Sequence, residues 1–233
     1  MRGEIGMKEL FKLSEEAIEH LKRCERMAAV VEHLGEIEER EIVTDPFMGM
    51  VYNIIYQQVS FAAGNAIWRR WMERYRCATP ESIVDAQEEE MRECGLSKSK
   101  VSYIKNLARA VLEDPRLMER DKLYQMSDEE ISAVYTRIKG IGPWSVKMFL
   151  IFTMGREDIR SYGDLALRRG VEWLFGERDI TEKRYLELTE GYSPYNTAAT
   201  FYFWELTLKK VLKETRDYTQ WREGLQLKGE EGC

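Results

Sequence analysis

Histidine and cysteine are scarce in this chain, and their placement removes whole classes of chemistry. The two histidines, His20 and His33, lie in a charged N-terminal segment with no partner motif, so neither is read as a catalytic base. The four cysteines, Cys24, Cys77, Cys94 and Cys233, are scattered and form no CxxC pair. That spacing fits neither a zinc site nor an iron–sulfur cluster, and free thiols are expected. Long apolar runs are missing as well. The longest, Met148 to Met154, is interrupted by Thr153 and is far too short to span a bilayer, and the N-terminus lacks the apolar core of a signal peptide. The expectation is a cytoplasmic protein with no membrane contact. A basic excess is also absent. The net charge of −6 argues mildly against a polyanionic partner. It does not exclude one, because binding depends on local field and backbone donors rather than on total charge. Lys and Arg cluster at Ser97-Lys98-Ser99-Lys100, Arg168-Arg169 and Lys209-Lys210, while acid concentrates at 36–41 and 87–93.

Strand alternation is nearly absent too, and helical periodicity fills the chain. Residues 14–34 read as a helix or two, opened by Ser14 and the acids Glu15 and Glu16. Thr44-Asp45-Pro46 starts another, running through Val51, Ile54 and Ile55. Ala62, Ala66, Ile67, Trp71 and Tyr75 share helical spacing, Thr79-Pro80-Glu81 begins a short helix, and Gly95 breaks the chain before Lys100 to Leu112. Ser127-Asp128-Glu129-Glu130 is a capping box, followed by the stripe Ile131, Val134, Tyr135 and Ile138. Further helices are expected over Trp144 to Met154, from Leu165, from Thr181 and over 197–212. A chain of 233 residues holds one sizeable core or two small subdomains. The reading is an all-α protein of two helical subdomains flanking a cleft. Its segments are 1–45, a helical stretch packing with the C-terminal lobe; 46–155, ending in a hairpin between helices; and 156–233, the C-terminal lobe.

The hairpin Ile138-Lys139-Gly140-Ile141-Gly142-Pro143-Trp144 is the densest signal. Two glycines around one apolar residue turn tightly and point successive N–H groups outward. At a helix N-terminus such donors, with the helix dipole, favour a phosphate. A tight turn between helices also needs glycine on steric grounds alone. Downstream, Gly163-Asp164 opens a helix, where Asp is a preferred N-cap. A helix start also favours negative charge, so capping is compatible with a chemical role for the carboxylate.

The surroundings raise the specificity. Ile54-Ile55-Tyr56-Gln57-Gln58-Val59-Ser60, then Gly95-Leu96-Ser97-Lys98-Ser99-Lys100 with Tyr103-Ile104, then the hairpin with Trp144-Ser145, then Asp164 twenty residues beyond Trp144, and finally Tyr192-Ser193-Pro194-Tyr195, stand in consistent order. Over about residues 45–212 this resembles the helix-hairpin-helix DNA glycosylase superfamily, and within it the 3-methyladenine DNA glycosylase II family. There are departures: Asn196 stands where the family's late segment usually continues with Arg, and Met148 replaces a common aromatic. The N-terminal sheet domain of longer members has no room in the 56 residues before Gln57, which read as helical.

The resemblance implies an enzyme that flips a damaged nucleotide from double-stranded DNA and hydrolyses its N-glycosidic bond; a monomer without a cofactor is expected. Asp164 would stabilise the oxocarbenium-like sugar and orient water. Trp144, Tyr192, Met148 and Tyr56 would line the base pocket, where aromatic faces suit a cationic alkylated purine. Gln58, more than Gln57, matches the wedge that fills the vacated stack. Ser60 would cap a helix or touch phosphate. Gly140, Ile141, Gly142 and Pro143 would anchor the backbone, Arg168 would add a phosphate contact, and the carbonyls of Ile138 and Gly140 could hold a monovalent cation; no side-chain metal site is visible. Bifunctional relatives carry Lys where Trp144 stands, and Trp cannot form a Schiff base. The alternatives are a glycosylase/lyase for oxidised purines and a non-catalytic helix-hairpin-helix module.

Overall fold

The computed structural model describes residues 8–230, so Cys233 lies outside the described residues. In chain order the elements are β1 (Lys8–Phe11), α1 (Glu15–Leu21), α2 (Glu25–Leu34), β2 (Arg40–Val43), α3 (Pro46–Tyr56) and α4 (Phe61–Tyr75). There follow α5 (Pro80–Asp85), α6 (Glu88–Glu93), α7 (Lys98–Glu113), α8 (Arg120–Tyr124), α9 (Asp128–Tyr135) and α10 (Pro143–Phe152). The last are α11 (Leu165–Phe175), α12 (Glu182–Thr189), α13 (Asn196–Leu208), α14 (Val211–Glu214) and α15 (Tyr218–Glu230). The fold is all-α, with one departure from the purely helical expectation: β1 pairs with β2. Four-residue strands are too short for their alternation to stand out in sequence. Among the described residues no helix is long and apolar enough to cross a membrane.

Two compact units result, one from 8–11 with 41–155, the other from 12–40 with 156–230. In the first, α3 is buried along nearly its whole length and is started by Asp45, whose carboxylate accepts from the Met48 amide at 2.7 Å, with Pro46 in the first turn. Its Gly49 allows a close approach to Thr153, since a Cβ there would overlap the threonine side chain. α10, apolar almost all round, buries Ser145, Val146, Met148, Phe149, Leu150 and Ile151. Such a helix is stable only inside a core, and truncating Phe149 to Ala would cost about 3–5 kcal/mol. α7 completes the layer with Val101, Ile104, Leu107, Ala108 and Val111 buried.

The second unit centres on α13, which buries residues on all sides. It lies close to α11 because Gly170 accepts the Phe203 ring where a Cβ would meet Cδ1 at 2.6 Å. α1 and α2 also pack on α13. Arg26 of α2 donates to the Leu174 carbonyl at 2.7 Å, satisfying an orphan acceptor near the end of α11. Arg40 pairs with Glu205.

Candidate functional site

The hairpin between α9 and α10 is built from the inside out. α9 ends at Tyr135, and Ile138, the last apolar residue of its stripe, closes a turn by accepting from the Ile141 amide at 3.0 Å. Gly140 has φ +104°, a conformation that L side chains avoid, and a Cβ there would overlap the Tyr103 ring. Gly142 is different. It is the N-cap of α10 with an ordinary φ of −99°, and a Cβ there would meet nothing within 4 Å. Glycine at 142 is therefore not demanded by the protein's own packing; it leaves the approach to the helix start open. Pro143 occupies the first turn and no side chain caps α10. An uncapped helix N-terminus behind an open glycine is an anion-accepting arrangement.

The turn from α3 to α4 is tied to that hairpin. Gln57 donates through Nε2 to the Gly140 carbonyl at 3.0 Å and to the Ser145 hydroxyl at 2.8 Å. Gln58, next in sequence, is exposed and left-handed at φ +53°. Ser60 caps α4, its hydroxyl accepting from the Ala63 amide at 3.3 Å. Of the residues expected at a base pocket, Trp144 is half-buried and Met148 is buried. The Tyr56 ring lies 4.2 Å from the Tyr52 ring, tilted by 32°, and its hydroxyl donates to Asn65. Burial and the Tyr52 hydroxyl hold the Tyr56 phenol far above its ordinary pKa, so it stays neutral. The two carbonyls expected for a cation are in use within the protein: Ile138 accepts from Ile141 and Gly140 from Gln57.

The second unit carries the rest. Asp164 is the N-cap of α11, its Oδ1 accepting from Ala166 N at 3.0 Å and Leu167 N at 3.1 Å. One turn on, the Arg168 guanidinium lies 5.3 Å from the Tyr162 ring centroid. Tyr192 is 2% exposed, its ring 6.4 Å from Phe203 and its hydroxyl 3.9 Å from the Cys24 sulfur. Its side chain is thus packed in the interior of its unit, and burial raises its pKa well above the ordinary value.

Sequence reasoning left several supporting residues without a role. On one face of α7, Lys100 donates to the Ile55 carbonyl near the end of α3, Tyr103 lies beneath Gly140 and Asn106 donates to the Lys139 carbonyl; the first two lie in segments that carried the resemblance, but nothing in their spacing reveals their partners. Asp158 holds the start of α13: its carboxylate accepts from Ser193 Oγ at 2.6 Å, from the Asn196 amide at 3.3 Å and from the Asn196 side chain. Burial pushes the Asp158 carboxyl up, but these hydrogen bonds outweigh it and hold it below the usual range. Asn196, where the family pattern has Arg, is thereby given a partner that fits an amide.

Residues 51–194 match the family described as HhH-GPD superfamily base excision DNA repair protein. Over 206 residues the chain is 31% identical to DNA-3-methyladenine glycosylase 1 of Schizosaccharomyces pombe, covering 87% of this chain and 86% of that protein. The solved structure of the Schizosaccharomyces pombe 3-methyladenine DNA glycosylase (Mag1) in complex with abasic DNA superposes with a TM-score of 0.75 at 32% identity, covering 82% of this chain and 96% of that one. The DNA-3-methyladenine glycosidase of Bacillus halodurans superposes with a TM-score of 0.75 at 29% identity, covering 92% of this chain and 99% of that one.

Proposed function

This chain belongs to the HhH-GPD superfamily of base excision DNA repair proteins, and from that membership we infer that it is a monofunctional DNA glycosylase that excises alkylated purines of the 3-methyladenine and 7-methylguanine type. The observation that carries the hydrolytic assignment is Trp144, half-buried in the first turn of α10 directly behind Pro143. A Schiff-base enzyme needs an amine at that point, and indole has none to offer.

The hairpin from Gly140 to Pro143 holds a backbone phosphate through main-chain N–H groups and the α10 dipole. Gln58 enters the stack as the damaged nucleotide leaves it, and Trp144 stacks on the extruded base, whose positive charge the indole face favours. The C1′–N bond then breaks, its electron pair passing to the cationic purine, which departs neutral. Asp164 stabilises the positive charge that develops on the sugar. Asp164 also orients a water, whose oxygen bonds to C1′ as its proton passes to the Asp164 carboxylate, leaving an abasic site. Arg168 adds a phosphate contact. DNA bearing damaged bases is therefore the partner.

The decisive experiment is release of labelled 3-methyladenine or 7-methylguanine from methylated duplex DNA, run beside borohydride trapping. Base release by the wild type, release slower by about 10²–10³-fold from Asp164→Asn, and no covalent adduct is the expected result. A trapped protein–DNA adduct would overturn the hydrolytic assignment, and equal release by both proteins would remove Asp164 from the chemistry.

A further inference from the structure

Lys100 is in an odd place for a lysine. It is the third residue of α7, just inside the Ser97 cap, where the helix dipole favours acids, and it is only 9% exposed. Burial alone pushes its ammonium below the ordinary lysine value. Both features are unfavourable for α7 itself. The compensation lies elsewhere: Nζ donates at 2.7 Å to the carbonyl of Ile55, in the last turn of α3, where a positive charge is favoured and a carbonyl would lack a helical partner. Two residues later comes Gln57, the C-cap, and then Gln58 in its left-handed conformation.

The same face of α7 reaches the hairpin. Tyr103 fills the space beneath Gly140, and Asn106 donates from Nδ2 to the Lys139 carbonyl at 3.2 Å. Positions 100, 103 and 106 follow one another at helical spacing, so one rigid element supports both turns. Gln57 then links those turns directly through Gly140 and Ser145.

We propose that Lys100 is a positioning residue for base extrusion, fixing the end of α3 so that Gln58 is presented at a set spacing from the hairpin that Tyr103 and Asn106 support. It rests on the reading above in which Gln58 is the wedge and the hairpin the phosphate anchor. Lys105 supplies a matched control. It lies on the same helix, is equally buried, and bonds the carbonyls of Val84 at 3.0 Å and Ala86 at 2.6 Å at the end of α5, away from either turn.

The test is a double-mutant cycle between Lys100→Met and Gln58→Ala, read by fluorescence of a 2-aminopurine beside a lesion analogue and by single-turnover excision. Lys100→Met should lower both readouts by about tenfold, Lys100→Arg should recover most of the loss, and Lys105→Met should leave extrusion unchanged. In the Gln58→Ala background the Lys100 effect should shrink to about twofold or less, because its route of action is gone. Equal losses from Lys100→Met in both backgrounds, or a loss from Lys105→Met as large, would overturn the proposal while leaving the wedge reading intact. If Gln58→Ala alone leaves extrusion unchanged, the wedge reading fails and this inference with it. Should Lys100→Met not fold, Lys100→Gln takes its place in the same cycle with the same outcomes, since its shorter side chain falls short of the Ile55 carbonyl while keeping a polar end.

Discussion

Asp164 has two duties that a pair of substitutions separates. As N-cap it accepts two backbone amides through Oδ1, and in the proposed reaction its carboxylate supplies charge to the sugar. Asn keeps the capping oxygen and loses the charge. Asp164→Asn should therefore melt within about 0.5 kcal/mol of the wild type, while excision falls by about 10²–10³-fold. Asp164→Ala should lose excision to the same extent and also about 1 kcal/mol of stability. Thermal melts and single-turnover excision on the same samples measure both, and Asp164→Asn with excision within a few-fold of wild type contradicts the assignment. The two hairpin glycines separate in the opposite sense. Gly140→Ala combines a left-handed φ with overlap on Tyr103, so it should destabilise by about 2 kcal/mol or more. Gly142→Ala has an ordinary φ and an empty surround, so its melt should not move. Its affinity for duplex DNA should drop, because the new methyl stands where a phosphate would come closest. A Gly142→Ala protein that binds DNA normally would mean the hairpin is only a turn.

Helix starts were the readable part of the chain because their chemistry is local. Ser14, Asp45, Thr79, Ser127 and Thr181 each accept from an amide three residues on, as their position before an apolar stripe predicts. Elements that depend on distant partners were not readable. β1 and β2 form only by pairing across the intervening α1 and α2, α6 hides in an acidic run, and the expected helix over 197–212 is broken at Lys210, whose φ of +62° starts the separate α14. α15 carries too few apolar positions to declare itself. The start of α13 likewise depends on a loop remote in sequence. Glu157 O accepts from Thr197 N at 2.8 Å, Arg156 O from the Thr197 hydroxyl at 2.7 Å, and Asp158 from Asn196. Because the folded state holds Asp158 below its unfolded value of about 3.9, its contribution is complete above that pH and is lost as pH falls through the folded value. Asp158→Asn should cost about 1 kcal/mol at neutral pH, discounted because the carboxylate is partly solvated. The difference in melting temperature between wild type and variant should begin to close as pH falls below about 4 and go on closing through the lower folded value. A gap that is independent of pH in that window would show that the bonds do not depend on ionisation.

The site obeys the same division between local and distant. The hairpin and the Asp164 cap follow from backbone rules within a few residues. The Gln57 link to Gly140 spans 83 positions and the Lys100 link to Ile55 spans 45, distances at which spacing carries no information. Charge belongs with the distant group. A chain with net charge −6 does not advertise a polyanion as its ligand, and its own field opposes the approach of DNA. Under the proposed function, a hairpin that works through main-chain N–H groups would resolve the conflict, since backbone donors hold a phosphate without neutralising it. That has a measurable consequence. Salt dependence counts phosphates neutralised by Lys and Arg, each contributing a slope of about −0.9 to log K against log salt. With few cationic contacts, such as Arg168, the slope between about 50 and 200 mM salt should be shallow, near −2 to −3. Fluorescence anisotropy with duplexes carrying an abasic analogue measures it, and Arg168→Ala should lower its magnitude by about one. A slope steeper than about −6 would mean that side-chain cations, not the hairpin backbone, hold the DNA.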